Sequence, residues 1–200
     1  MQKYNFVFDY KKATQSLNYF ADKSGGKINR LKALKLIYFA DRYHLRKYGR
    51  LITNDTYYAM DNGPVATGTK DIAEESEFTG IEAQNYASNY IESFGKYNFI
   101  SKKPVDKAEL SVSDLEALGY VWNKFGHLDQ WAIVDLTHKY PDWHKHKLSL
   151  ELADRIEMNL DDFFDDPISK FDKCFALTDE EKAIRRDQLE EMLVIESIWR

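Results

Sequence analysis

Between Asn29 and Gly49 runs RLKALKLIYFADRYHLRKY, a stretch that few architectures can accommodate. Its first half is apolar nearly all round, with Leu31, Ala33, Leu34, Leu36, Ile37, Tyr38, Phe39 and Ala40 leaving no polar face. Such a helix must be covered on several sides, so it belongs at the centre of a fold. Asn29 suits its N-cap and Gly49 marks its stop. Enough chain exists to wrap it: 200 residues, 44% hydrophobic and 14% aromatic, can bury a substantial core.

The wrapping elements can be read from caps and periodicity. Asp9 caps a first helix with Ala13, Leu17, Phe20 and Ala21 on one face, stopped by Gly25-Gly26. Thr56 to Met60, β-branched and aromatic after Asn54-Asp55, reads as a strand. Asn62-Gly63-Pro64 breaks it, and Pro64 suits the first turn of another helix continuing through Thr67, Thr69 and Ile72. Residues 76–96 are ambiguous, although Tyr86, Tyr90, Ile91 and Phe94 have helical spacing. Residues 97–102 alternate enough to be the partner strand of 56–60.

Ser113-Asp114-Leu115-Glu116 has the form of a capping box for a helix through Leu118, Val121, Trp122 and Phe125. Asp129 begins another, with Trp131, Val134 and Thr137 inward. Beyond residue 148 the pattern is helical and acidic, and Thr178-Asp179-Glu180-Glu181 opens a last helix through Ile184, Leu189, Met192, Leu193 and Ile198. The fold expected is α+β, mainly α: about seven or eight helices with a small antiparallel sheet built from 56–60 and 97–102. Residues 1–147 are expected to form the main domain and 148–200 an acidic helical extension packed on it, with Phe175 and Trp199 adding apolar surface.

Charge is distributed unevenly. The net charge is −5, yet residues 1–50 hold 12 Lys/Arg against 3 Asp/Glu, and residues 151–200 hold 7 against 15. A basic N-terminal face for nucleic acid is one reading. The other is that the two ends pack together, and an acidic chain gains little from phosphate contacts, so nucleic acid is not an expected partner. No run reaches the roughly 18 apolar residues of a membrane span, and the N-terminus lacks a signal-peptide pattern. A lone Cys174 cannot form an internal disulfide; a cytoplasmic protein is expected.

Chemistry-bearing patterns are weak. No phosphate-binding glycine loop, HExxH or paired-cysteine pattern occurs. Cys174 lies among acidic residues, the wrong field for a thiolate. His138, Asp142, His144 and His146 lie close enough in sequence to hold zinc, but their spacing fits no ligand pattern and Lys139, Lys145 and Lys147 surround them. Asp41, at the end of an apolar stripe, is read as an acceptor of structural hydrogen bonds rather than an acid–base catalyst. No enzyme, metal or cofactor is expected.

Leu36-Ile37-Tyr38-Phe39-Ala40-Asp41, His44, Tyr48-Gly49 and Tyr58-Ala59-Met60 through Gly63-Pro64-Val65 carry a resemblance, as do His127-Leu128, Leu136-Thr137-His138 and Trp143. Together they resemble the Panacea domain of SocA-like antitoxins over residues 30–147. The family's Gly-Pro-Val turn usually continues with proline or serine, whereas here Ala66-Thr67-Gly68 follows. The resemblance implies an antitoxin that neutralises a cognate protein toxin by direct binding, often encoded in a prophage or other mobile element. One relative instead delivers its toxin to a Clp-type protease, a role for which 151–166 offers an acidic surface; a DNA-binding autoregulator is a further alternative. The motif positions Tyr38, Asp41, His44, Met60, Gly63, Pro64, Thr137, His138 and Trp143 are the candidate partner-binding residues.

Overall fold

The computed structural model describes residues 6–167 and 176–198. In chain order the elements are α1 (Tyr10–Lys23), β1 (Lys27–Asn29), α2 (Arg30–Tyr48), β2 (Tyr57–Met60), β3 (Gly63–Ala66), α3 (Thr67–Ala73) and α4 (Ile81–Ala87). Then come β4 (Ile91–Phe94), β5 (Asn98–Ser101), α5 (Val112–Phe125), α6 (Gln130–Thr137), α7 (Pro141–His144), β6 (Ile156–Glu157) and α8 (Asp179–Ile198). Single 3-10 turns occupy Lys107–Glu109, Ser149–Glu151 and Leu160–Phe164. The class is α+β, mainly α, as expected.

The central position of α2 follows from its composition. Every residue from Ala33 to Arg46 is buried, and α1, α5, α6, α8 and β3 all pack against the helix. Asn29 accepts from the Lys32 N–H, and Gly49 closes the C-terminus at φ +73° by donating to the Leu45 carbonyl. Around it lies an aromatic core in which Phe39 meets Phe125 at 4.5 Å and Tyr38 meets Tyr140 and Phe163 edge-on at 6.3 and 5.7 Å.

The sheets differ from the expectation. Residues 57–60 and 98–101 never pair; they belong to separate three-stranded antiparallel sheets, ordered β3-β2-β6 and β1-β5-β4. Pro64 does not open a helix. It lies in β3, opposite Ala59, on an edge strand where proline is tolerated. Helix α3 starts at Thr67 instead, because the Asp55 carboxylate accepts from the Gly68 and Thr69 N–H groups and the Thr69 hydroxyl. The helical spacing of residues 86–94 also misleads: α4 ends at Ala87, and Ile91 and Phe94 enter a hairpin with β5 whose turn uses Gly95 at φ +64°.

Further along, the capping box of α5 uses Ser111 with Asp114, not Ser113 with Glu116. Trp131 points outward, 58% exposed. Residues 149–164 form two 3-10 turns and a short strand rather than helix. The last capping box is present, Thr178 and Glu181 bonding reciprocally. Helix α8 lies on α2, burying Leu189 while Ile184 and Ile198 stay exposed. Cys174, Phe175 and Trp199 fall outside the described residues.

The opposite charges of the two ends meet inside the protein. Arg46, fully buried, donates to the Phe163 and Phe164 carbonyls and to the Asp166 carboxylate. Arg42 donates to the Asp165 carbonyl. Other cations of the first fifty residues are paired as well: Lys12 and Arg50 with Asp114, Lys11 with Glu109, and Lys47 with Glu116. Arg46→Ala strands several buried acceptors and should lower unfolding free energy by about 3–4 kcal/mol. Limited proteolysis of that variant should cut first between Leu148 and Thr178. Unchanged melting and cleavage would show that the clamp holds nothing.

Candidate functional site

The nine candidate residues form an inner and an outer group. Tyr38, Asp41 and His44 project from α2 and are fully buried. Asp41 accepts four hydrogen bonds: from the Ile52 and Thr53 N–H groups at 2.7 and 3.1 Å, from the Tyr57 hydroxyl at 2.8 Å, and from the Thr53 hydroxyl. Burial pushes its pKa up, and those donors pull the other way. Its geometry is that of a post fixing the 50–57 loop onto the helix.

Tyr38 donates at 2.8 Å to Asp142, whose carboxylate also lies 3.4 Å from the Arg42 guanidinium. Arg42 in turn stacks over Tyr140 at 4.7 Å. Asp142 is fully buried, and desolvation raises its pKa against the pull of Arg42 and Tyr38. His44 donates through Nδ1 to the Arg50 carbonyl at 2.8 Å, while Nε2 lies 3.0 Å from the Ser113 hydroxyl and 3.2 Å from Asp114. Burial presses the Asp114 carboxyl upward, but bonds from His44 and Lys12 and the Arg50 charge outweigh it and hold the group ionised.

The outer group converges from both halves of the signature. Hairpin residues Met60, Gly63 and Pro64 sit against Thr137 and Trp143. Trp143 Nε1 donates to the Met60 carbonyl at 2.9 Å, and His138 stacks on the Trp143 ring at 3.8 Å. A Cβ on Gly63 would stand 2.4 Å from the Thr137 hydroxyl, and its φ is +95°, so only glycine fits. Beneath the hairpin lies Lys35, wholly buried, donating to the Pro64 carbonyl at 2.7 Å. Burial pushes its pKa down to about 7. The His138 pKa is lowered too, by burial and then by the Lys35 charge.

The hairpin forms one wall of an open cleft of about 760 Å³. Met60 and Val65 line it with Leu31 and Leu34 from α2, and Tyr97 and Trp131, 60% and 58% exposed, stand at its rim. Of the nine candidates only Met60 and His138 retain exposure; Gly63, Pro64, Thr137 and Trp143 are buried. The zinc candidates disperse: Asp142 serves Tyr38 and Arg42, and His144 Nδ1 donates to the His138 carbonyl at 3.2 Å. Among the described residues no three His, Cys, Asp or Glu are grouped to hold a metal.

Sequence reasoning missed Lys35, Arg42 and Asp142 as parts of this architecture. The signal was available in Lys35, a lone cation within ALKLIYF, and in Arg42 and Arg46, four residues apart on a helix with no polar face.

The family model described as antitoxin SocA-like, Panacea domain, matches residues 34–144, more than half of the chain, and the chain belongs to that family. No curated protein and no solved structure matches it. The matched span contains all nine motif residues and both walls of the hairpin packing.

Two measurements check the inner chemistry. Asp41→Ala leaves buried donors unpaired and should cost about 3–5 kcal/mol of stability, read by urea unfolding. A stable variant would detach Asp41 from the fold. Lys35 titrates near 7 when folded and at 10.5 when unfolded, so between those values the unfolded chain binds more protons. Its contribution to stability therefore rises with pH across that window, by roughly 1.4 kcal/mol per unit at most, and is lowest below it. Wild type should gain on Lys35→Met between about pH 7 and about pH 9, and a pH-independent difference would contradict the buried titration.

Proposed function

We propose that this Panacea-domain protein is the antitoxin of a two-component pair and neutralises its cognate protein toxin by direct binding, without catalysis. Family membership over residues 34–144 carries the reading. The geometry supports it through a rigidly held hairpin beside an open cleft rimmed by two exposed aromatics, Tyr97 and Trp131. In this reading Met60 and His138 are the candidates able to touch a partner. Tyr38, Asp41, His44, Gly63, Pro64, Thr137 and Trp143 act by holding the hairpin and the α2 loops in place.

Action in the cytoplasm fits the reading; among the described residues no helix is long and apolar enough to cross a membrane. A DNA-binding autoregulator draws little support, since most basic residues of the first fifty are paired internally. The adaptor role for a Clp-type protease has one favourable observation: residues 151–155 are exposed, Leu152 at 93%. The packed turn Leu160–Phe164 would not take part in it.

Co-expression with the product of the adjacent gene tests the proposal. That product should arrest growth alone, be silenced by this chain and co-purify with it. Met60→Asp should weaken neutralisation at least about tenfold, with a melting temperature within a few degrees of wild type. A harmless neighbour, or one that stays toxic beside this chain, overturns the reading. Toxin loss that requires an added Clp-type protease would favour the adaptor.

A further inference from the structure

Helix α8 sorts its charges in an unusual way. Two of its three cations reach the domain: Lys182 pairs with Asp166 at 2.9 Å, and Arg186 lies 3.9 Å from Asp165 and over the Phe164 ring, while Arg185 donates to Gln188 of the same helix. Leu189 is buried on the same side, Gln188 covers Gly49, and Glu196 accepts from the Val7 N–H at 3.1 Å and from Asn54 at 3.4 Å. These contacts fix the rotation of the helix about its axis.

The opposite side is left with two kinds of residue. Ile184, Val194, Ile195 and Ile198 are 48%, 59%, 49% and 72% exposed. Around them stand the exposed carboxylates of Glu180, Glu181, Asp187, Glu190 and Glu191. At about 100° per residue, positions 184, 187, 191, 194, 195 and 198 fall within one arc. Among the described residues of α8 no lysine or arginine lies on that arc, the cations falling at positions 182, 185 and 186. Aliphatic surface framed by carboxylates and lacking cations favours one class of ligand.

We propose that the outer face of α8 is a docking surface for a basic amphipathic segment of a partner protein, one presenting aliphatic residues flanked by lysine or arginine. Charge decides the occupant. A second copy of this chain would bring the same carboxylates and be repelled, and nucleic acid would meet negative charge with negative charge. A cationic helix would bury the isoleucines and pair with the acids together, as helix-in-groove recognition does. The surface lies beyond the family-matched span and does not depend on the neighbouring gene product being toxic.

The test uses the full chain and a fluorescent synthetic helix of leucine and lysine, about 18 residues long. A scrambled peptide of the same composition and a leucine–glutamate analogue serve as controls. The amphipathic cationic peptide should bind, and more weakly as salt rises. Combined Ile195→Ser and Ile198→Ser should weaken it roughly tenfold or more. Asp187→Lys with Glu191→Lys should abolish it and create affinity for the leucine–glutamate analogue. All four positions are exposed, so melting temperatures should stay near wild type. The proposal is overturned by absent binding, by equal binding of the scrambled peptide, by undiminished binding to the charge-reversed variant, or by a dimer in sedimentation that Ile195→Ser dissolves.

Discussion

On α2, five side chains that would ordinarily seek water are wholly enclosed: Lys35, Asp41, Arg42, His44 and Arg46. A desolvated charge costs several kcal/mol unless a partner meets it. Partners here come from four separate parts of the chain. Lys35 holds the β3 carbonyl of Pro64, Asp41 gathers the N–H groups of Ile52 and Thr53, and His44 reaches Arg50 and the start of α5. Arg42 and Arg46 take the carbonyls of Phe163, Phe164 and Asp165 at the end of the 160–164 turn. The apolar half of the helix makes it central, and its polar atoms decide which loops lie where.

That arrangement explains the charge polarity of the sequence without an external anion. Basic residues near the N-terminus are concentrated on the element that the rest of the chain surrounds. The acidic C-terminal quarter supplies the Asp166 carboxylate to both Arg46 and Lys182, and Asp165 to Arg42 through its carbonyl and to Arg186 through its carboxylate. Because the acceptors on Phe163, Phe164 and Asp165 are backbone carbonyls, the clamp constrains chain path more than side-chain identity. Many sequences could fill that segment provided two arginines one turn apart remain on α2.

Helices whose caps and stripes are local were legible in the sequence: the Asp9 and Asn29 caps, the Gly49 stop and the Asp129 start all lie where they were expected. Failures cluster where a distant residue decides. Asp55 caps α3 from across the hairpin, which frees Pro64 to be strand. β5 pairs with β1, a three-residue strand too short to show alternation. Trp131 was placed inward by helical spacing, yet Leu31 and Leu34 leave a cleft there instead of a filled core. The structural hydrogen-bonding role of Asp41 was readable, because a carboxylate ending an apolar stripe has few other ways to be tolerated.

The family signature and the exposed surface describe different things. Seven of the nine motif residues are buried, and their bonds run to backbone groups and to other buried side chains such as Asp142, Thr53 and Tyr57. A buried residue influences which partner binds mainly through what it supports. The signature therefore encodes a scaffold: a spine helix, a hairpin that only glycine at position 63 allows, and a tryptophan that pins its turn. In the proposed reading, selectivity between partners rests on side chains with solvent access, such as those at the cleft rim and on the outer face of α8. Those positions are set by few packing constraints, so they can vary while the buried polar atoms of α2 keep the scaffold unchanged.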